Sequence, residues 1–151
     1  MANTQAVCAS FKSECMSGIH ALGTTVVRGG TGADAIKAAL YLTTATVNAS
    51  TAAYSATNEV TGTNYTAGGV AVTNATAPTN DGTTGYWTPS ASIVYTTVTL
   101  AVAFDCVLLY NSTQSNKAIA VYTFGSQTVT SGTLTLTMPT NNGSTGLLRL
   151  A

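Results

Sequence analysis

Threonine alternates with apolar residues along several short stretches of the chain, and this alternation restricts the fold more than any other feature. It is clearest in residues 133–138, where Leu134, Leu136 and Met138 alternate with threonines. Successive side chains of a β-strand point to opposite faces, so such a stretch has one apolar face and one hydroxyl face. Threonine provides 30 of the 151 residues, and its branched side chain suits a half-exposed strand. The pattern therefore predicts an all-β protein.

Seven or eight short strands, separated by Gly, Pro, Asn and Asp, are predicted between residues 36 and 150. Residues 36–43 are apolar enough for a central strand, and residues 65–75 read as a strand bent at Gly68-Gly69. Two further strands are expected at 93–101 and 104–110, with Val94, Val98 and Leu100 on one face of the first. We predict one domain, residues 1–151, in which residues 36–151 form an antiparallel β-sandwich or a jelly-roll-like fold.

The N-terminal segment has a different period. Its apolar residues are spaced by 3, 4, 4 and 3 positions, at Cys8, Phe11, Cys15, Ile19 and Leu22. This spacing places them on one stripe of an amphipathic α-helix. We predict a helix over residues 3–22, capped by Asn3 or Thr4, followed by a glycine-rich linker over residues 23–35. The stripe can pack on the protein's own sandwich or dock on a neighbouring molecule, and the sequence leaves both alternatives open.

The charge pattern excludes several classes of function. Five Lys and Arg balance five Asp and Glu, and charged residues make up 7% of the chain. The basic residues are scattered, whereas a nucleic-acid-binding protein needs them clustered. The most apolar stretch, residues 98–110, is too short for a membrane span, and the N-terminus lacks the features of a signal peptide. A neutral surface favours association, so we expect a homo-oligomer or a component of a larger assembly.

No pattern in the sequence indicates an active site, so we expect no catalytic residues, no metal and no cofactor. The five acids are spread over the predicted helix, linker, loops and one strand, and no pair is favoured as a catalytic pair. Cys8, Cys15 and Cys106 do not have the spacing of a metal site. A catalytic cysteine would need His20 as its base, and no third partner accompanies it.

Several stretches resemble a family of small virion structural proteins of tailed bacteriophages. The resemblance covers nearly the whole chain and is carried by residues 5–12 (QAVCASFK), 18–20, 37–41, 59–70 (EVTGTNYTAGGV), 109–112 and 147–150. It implies a non-enzymatic component of a virion that is assembled in the cytoplasm of the host bacterium. Small β domains of such phages commonly serve as head decoration or cement proteins, which bind the major capsid protein.

We therefore expect a capsid decoration protein, with the major capsid protein or other virion proteins as partners. The candidate interface residues are Phe11, Cys15 and Ile19 on the predicted helix, together with Trp87, whose ring would also suit stacking on a glycan. The alternative within virion proteins is a tail, fibre or head-to-tail connector component. A carbohydrate-binding module is the alternative from another class.

Overall fold

A computed structural model of the chain describes residues 2–23 and 32–151. These residues form one helix and eight strands: β1 (Ala6–Val7), α1 (Ala9–Met16), β2 (Ile36–Leu42), β3 (Val70–Ala71), β4 (Thr79–Asp81), β5 (Thr84–Trp87), β6 (Ile93–Asn111), β7 (Lys117–Leu136) and β8 (Leu148–Leu150). A five-stranded sheet has the order β1-β7-β6-β2-β3, a three-stranded sheet has the order β4-β5-β8, and all pairs are antiparallel. The predicted all-β, sandwich-like fold with one N-terminal helix is confirmed.

The long hairpin of β6 and β7 forms the centre of the larger sheet. The predicted pair of strands at 93–101 and 104–110 is wrong, because residues 93–111 form one continuous strand. Irregularities in the register with β7 bend this strand instead of ending it, and Thr97 has a φ of 51° at one of them. The same irregularity changes the buried face. Tyr95 and Val98 point inward, whereas Val94 is 40% exposed.

Strand β2 lies between β6 and β3, as expected for a central strand. Its residues from Ala38 to Tyr41 are buried, since both faces of the strand are covered. The predicted bend at Gly68-Gly69 is present, with φ values of 88° and 70°, but only Val70–Ala71 pair with β2. A Cβ on Gly69 would collide with the carbonyl oxygen of Ala38, so glycine allows this loop to lie directly against β2.

The predicted helix over residues 3–22 is too long at both ends. Asn3 does not cap it: its Nδ2 donates to the carbonyl of Leu42 at 3.1 Å, and its Oδ1 accepts from the N–H of Val47 at 2.9 Å. These bonds hold the first residues extended, and β1 pairs with β7 before α1 begins. At the other end, Gly18 has a φ of 66°, and the N–H of Ile19 bonds the carbonyl of Glu14. This is a Schellman ending, which terminates a helix.

Most of the predicted linker, residues 24–31, lies outside the described residues. After it, the buried Asp34 comes just before β2. The N–H of Asp34 donates to the carbonyl of Ala21 at 3.0 Å, and Asp34 Oδ2 accepts from the N–H of Ala21 at 2.7 Å. These two bonds join the segment after α1 to the start of the larger sheet.

Candidate functional site

Three of the four candidate interface residues lie together. Phe11, Cys15 and Trp87 line one apolar groove of about 750 Å³. Its other walls come from the residues after α1 and from the small sheet, including Leu22, Tyr86 and Leu148. The fourth candidate, Ile19, is half-buried and does not line this groove. The structure thus brings the helix and Trp87 to one place although they are far apart in sequence.

Phe11 and Trp87 belong to the hydrophobic core, so neither is an exposed contact residue. Phe11 is 0% exposed, and its ring centroid lies 4.7 Å from that of His20. Trp87 is 1% exposed, and its indole N–H donates to the carbonyl of Thr76 at 2.9 Å. Large apolar side chains bury the most surface, which explains why both turn inward. The stripe therefore packs at Phe11 on the protein's own sheets, and Trp87 offers no open ring face to a glycan.

A buried polar network joins α1 to the turn end of the long hairpin. His20 Nε2 lies 2.8 Å from Glu14 Oε2, and Lys117 Nζ donates to Glu14 Oε1 at 2.6 Å. On its other side, His20 Nδ1 lies 3.1 Å from Asn111 Nδ2, which also donates to Asp34 Oδ2 at 2.7 Å. The His20 side chain is 1% exposed. Helix, hairpin and the start of β2 are thereby joined through one set of hydrogen bonds.

The network fixes the hydrogen positions on His20. Asn111 Oδ1 accepts from the N–H groups of Thr113 and Gln114, each at 3.1 Å, so the Nδ2 of Asn111 is the donor toward His20. His20 Nδ1 must accept, and Nε2 carries the hydrogen toward Glu14. Because both ring nitrogens are engaged, neither is available as a base for Cys15. The residues of this network are arranged as structural links.

The carboxylate of Glu14 is the charged centre of this network. Burial alone would raise its pKa, but hydrogen bonds from Lys117 and His20 outweigh burial, so the pKa of Glu14 lies below its ordinary value. The ionised form is therefore the one that the fold stabilises.

A second buried carboxylate, Glu59, is surrounded by tyrosines. Tyr54 and Tyr65 donate their hydroxyls to its two oxygens at 2.6 and 2.8 Å, and the N–H of Gly68 adds a bond of 2.7 Å. Tyr54 stacks on Tyr110 with the ring centroids 4.7 Å apart. Burial and the neighbouring carboxylate raise the pKa of Tyr54 and Tyr65, so both remain protonated donors. The cluster ties the loop over residues 54–68 to the sheet.

The three cysteines are in environments that keep them as thiols. Cys8 and Cys106 are buried, and Cys15 is half-buried. Burial, followed by the charge of Glu14, raises the pKa of Cys8 and of Cys15 to about 11. Burial, followed by the charge of Asp105, raises the pKa of Cys106 to about 12. The thiolate is the reactive form of cysteine, so these residues lack the environment of a nucleophile.

The surface carries few charges. The described residues include nine of the ten Lys, Arg, Asp and Glu side chains, and of these Lys12, Asp81 and Arg149 are exposed. Residues 82–104 and 118–148 contain no charged residue. Most of the long hairpin therefore presents only hydroxyl, amide and apolar groups to its surroundings, among them Val102 at 57% exposure.

Sequence reasoning missed both buried networks. The acids are scattered along the chain, but Glu14 and Asp34 meet around His20 and Asn111 in space. A signal existed for Glu59, since it is the only charged residue between Lys37 and Asp81 and has tyrosines on both sides. A lone acid in an uncharged stretch needs hydrogen-bond donors if it is buried, and tyrosines provide them.

Comparisons with protein-family models, with curated proteins and with solved structures give no match to this chain. Within the described residues, no helix has the length and apolar character needed to cross a bilayer. In the same residues, no three His, Cys, Asp or Glu side chains lie close enough together to hold a metal ion. The architecture and the surface chemistry are thus the structural observations from which a function is proposed.

Proposed function

We propose that this chain is a non-enzymatic structural protein of a bacteriophage virion, namely a decoration protein that binds the major capsid lattice and stabilises it. The observation that carries the proposal is the low charge on the surface of this β-sandwich-like fold. Among the charged side chains of the described residues, Lys12, Asp81 and Arg149 are exposed, and Lys37, Asp105 and Lys117 are half-buried. The buried acids Glu14 and Glu59 are held by hydrogen bonds that link parts of the fold.

Such a surface suits a permanent contact with another protein. Burying a charged side chain costs several kcal/mol unless it is paired, whereas hydroxyl groups are easily satisfied by hydrogen bonds across an interface. A protein with little charge also has little electrostatic repulsion to keep its copies apart in solution. Binding to the assembled lattice but not to its free subunits would stabilise the shell by mass action. The resemblance to small virion proteins of tailed phages supports the same class of function.

We assign to the capsid the part of the β6–β7 hairpin that lies within the uncharged residues 82–104 and 118–148. A lysine at Val102 would place a charge in this region, so Val102→Lys is expected to weaken binding to purified shells that lack the protein. Thr83→Lys is the control, because Thr83 is exposed in the turn between β4 and β5, two residues from Asp81, where a charge is already present.

Co-sedimentation of each purified variant with the shells measures the binding. Loss of binding by Val102→Lys alone supports the proposal. Equal binding by both variants would contradict the assignment of the hairpin, and the absence of binding by the unaltered protein would contradict the decoration role itself.

A further inference from the structure

Within the described residues, the β7 edge of the larger sheet is open over most of its length. On the β2 side, the loop over residues 58–72 covers the edge through three backbone hydrogen bonds. The N–H of Val60 donates to the carbonyl of Leu40 at 2.9 Å, the N–H of Leu42 to the carbonyl of Asn58 at 3.0 Å, and the N–H of Val72 to the carbonyl of Ile36 at 2.9 Å. On the β7 side, β1 pairs only with Ala120 and Val121. In the described residues, Gly132–Leu136 have β6 as their only strand partner.

This open edge, residues 132–138, has the features of a strand that accepts another strand. Leu134, Thr135 and Leu136 are in regular register with β6, opposite Tyr95, Val94 and Ile93, and the irregularity at Ser131 (φ 46°) lies just before them. Proteins usually protect an open edge with lysine, proline or an inward-pointing charge. None of these occurs from 132 to 138, and Pro139 follows directly.

The sequence of the edge is complementary to itself. Threonines at 133, 135 and 137 alternate with Leu134, Leu136 and Met138, so the alternation is the same in both directions. Antiparallel pairing centred on Thr135 places Leu134 against Leu136 of a second copy, and each threonine against a threonine. Leu136 and Met138 pack on the edge of the core and remain half-buried. A second strand would cover them.

We propose that the edge at residues 132–138 is a homodimer interface, at which β7 pairs antiparallel with β7 of a second copy across a two-fold axis. The two larger sheets then form one continuous sheet. A symmetric interface places any charge of the edge near the same charge of the second copy. Residues 132–138 carry no charge, so no such repulsion opposes the contact. The inference does not depend on the virion role: a monomer that still binds shells would refute the dimer and leave the proposed function intact.

Charge substitution at Thr135 tests the pairing. Thr135 is exposed, so Thr135→Lys and Thr135→Glu are expected to fold, and each places like charges opposite one another across the axis. Each variant alone is expected to dimerise roughly fivefold more weakly, or worse, than the unaltered protein. An equimolar mixture of the two is expected to restore the dimer. Thr96→Lys is the control, because Thr96 is also an exposed threonine of the same hairpin but lies on β6, outside the edge that is proposed to pair.

Sedimentation velocity over a range of concentrations measures the oligomeric state. The proposal is supported if each Thr135 variant alone loses the dimer, the mixture of the two regains it, and Thr96→Lys keeps it. A monomer at every concentration, or a dimer unaffected by Thr135→Lys, overturns it. Amide hydrogen exchange of the unaltered protein gives a test that needs no variant. Protection of residues 132–138 must increase with protein concentration, and protection that is independent of concentration also overturns the inference.

Discussion

Replacing Phe11 by alanine tests whether the helix packs on the protein's own sheets. Phe11 is 0% exposed, belongs to the hydrophobic core and lies against the ring of His20. Removing the ring forfeits roughly 150 Å² of buried apolar surface, which at about 25 cal/mol per Å² corresponds to about 4 kcal/mol. This agrees with the range of about 3 to 5 kcal/mol for Phe→Ala in protein cores. A chain of this size should then unfold roughly 6 to 20 °C lower.

Urea denaturation followed by circular dichroism measures the loss. Met16→Ala is the control on the same helix, because Met16 is 85% exposed, and it should change the free energy of unfolding by no more than about 0.5 kcal/mol. The reasoning is refuted if Phe11→Ala is as stable as Met16→Ala. If it also ceased to bind shells while fully stable, Phe11 would be a docking residue, contrary to its burial.

Two further changes test the close loop contact and the buried charge. Gly69→Ala should lower the free energy of unfolding by more than about 3 kcal/mol, because it combines an unfavourable positive φ with a collision against Ala38. Gly18→Ala is the control: Gly18 has a φ of 66° with open space around it, so this change should cost about 1 kcal/mol. Equal losses of the two variants in thermal denaturation would argue against the close approach of Gly69 to β2. Because the pKa of Glu14 is lowered in the folded state, its ionisation stabilises the fold above the ordinary value of 4.5, and this contribution is lost as the pH falls through the folded pKa. Glu14→Gln should therefore flatten the acid side of the plot of stability against pH, and an unchanged slope would show that the bond to Lys117 contributes little.

The fold class follows from local patterns, and the errors arise where distant residues act. Alternation of threonine with leucine identifies the strand around Leu134 because that strand has one buried and one exposed face. Helix periodicity correctly predicted a helix around Phe11 and Cys15, but Cys8, Ile19 and Leu22 of the predicted stripe lie outside α1, so the predicted length was wrong. Asn3 bonds to residues about 40 positions away, which no local pattern records. Gly18 lies inside the predicted helix, but its positive φ ends the helix in the structure.

The candidate site was less accessible to sequence reasoning. Burial of Trp87 depends on how the small sheet packs against the segment after α1, which is a property of the tertiary structure. The hydrogen bond from Lys117 to Glu14 links residues that are 103 positions apart in the chain. Low surface charge, by contrast, was evident from composition, because a chain with few charged residues cannot present many. That property carries the proposed function.

The copy number of this chain in purified particles tests the decoration role most directly. Quantitative mass spectrometry of the phage virions that contain the protein gives its ratio to the major capsid protein. A ratio near stoichiometric, or another fixed fraction that matches the symmetry of the lattice, is the result that a shell-binding protein requires. A few copies per particle would contradict this account and would assign the chain to the tail or the head-to-tail connector.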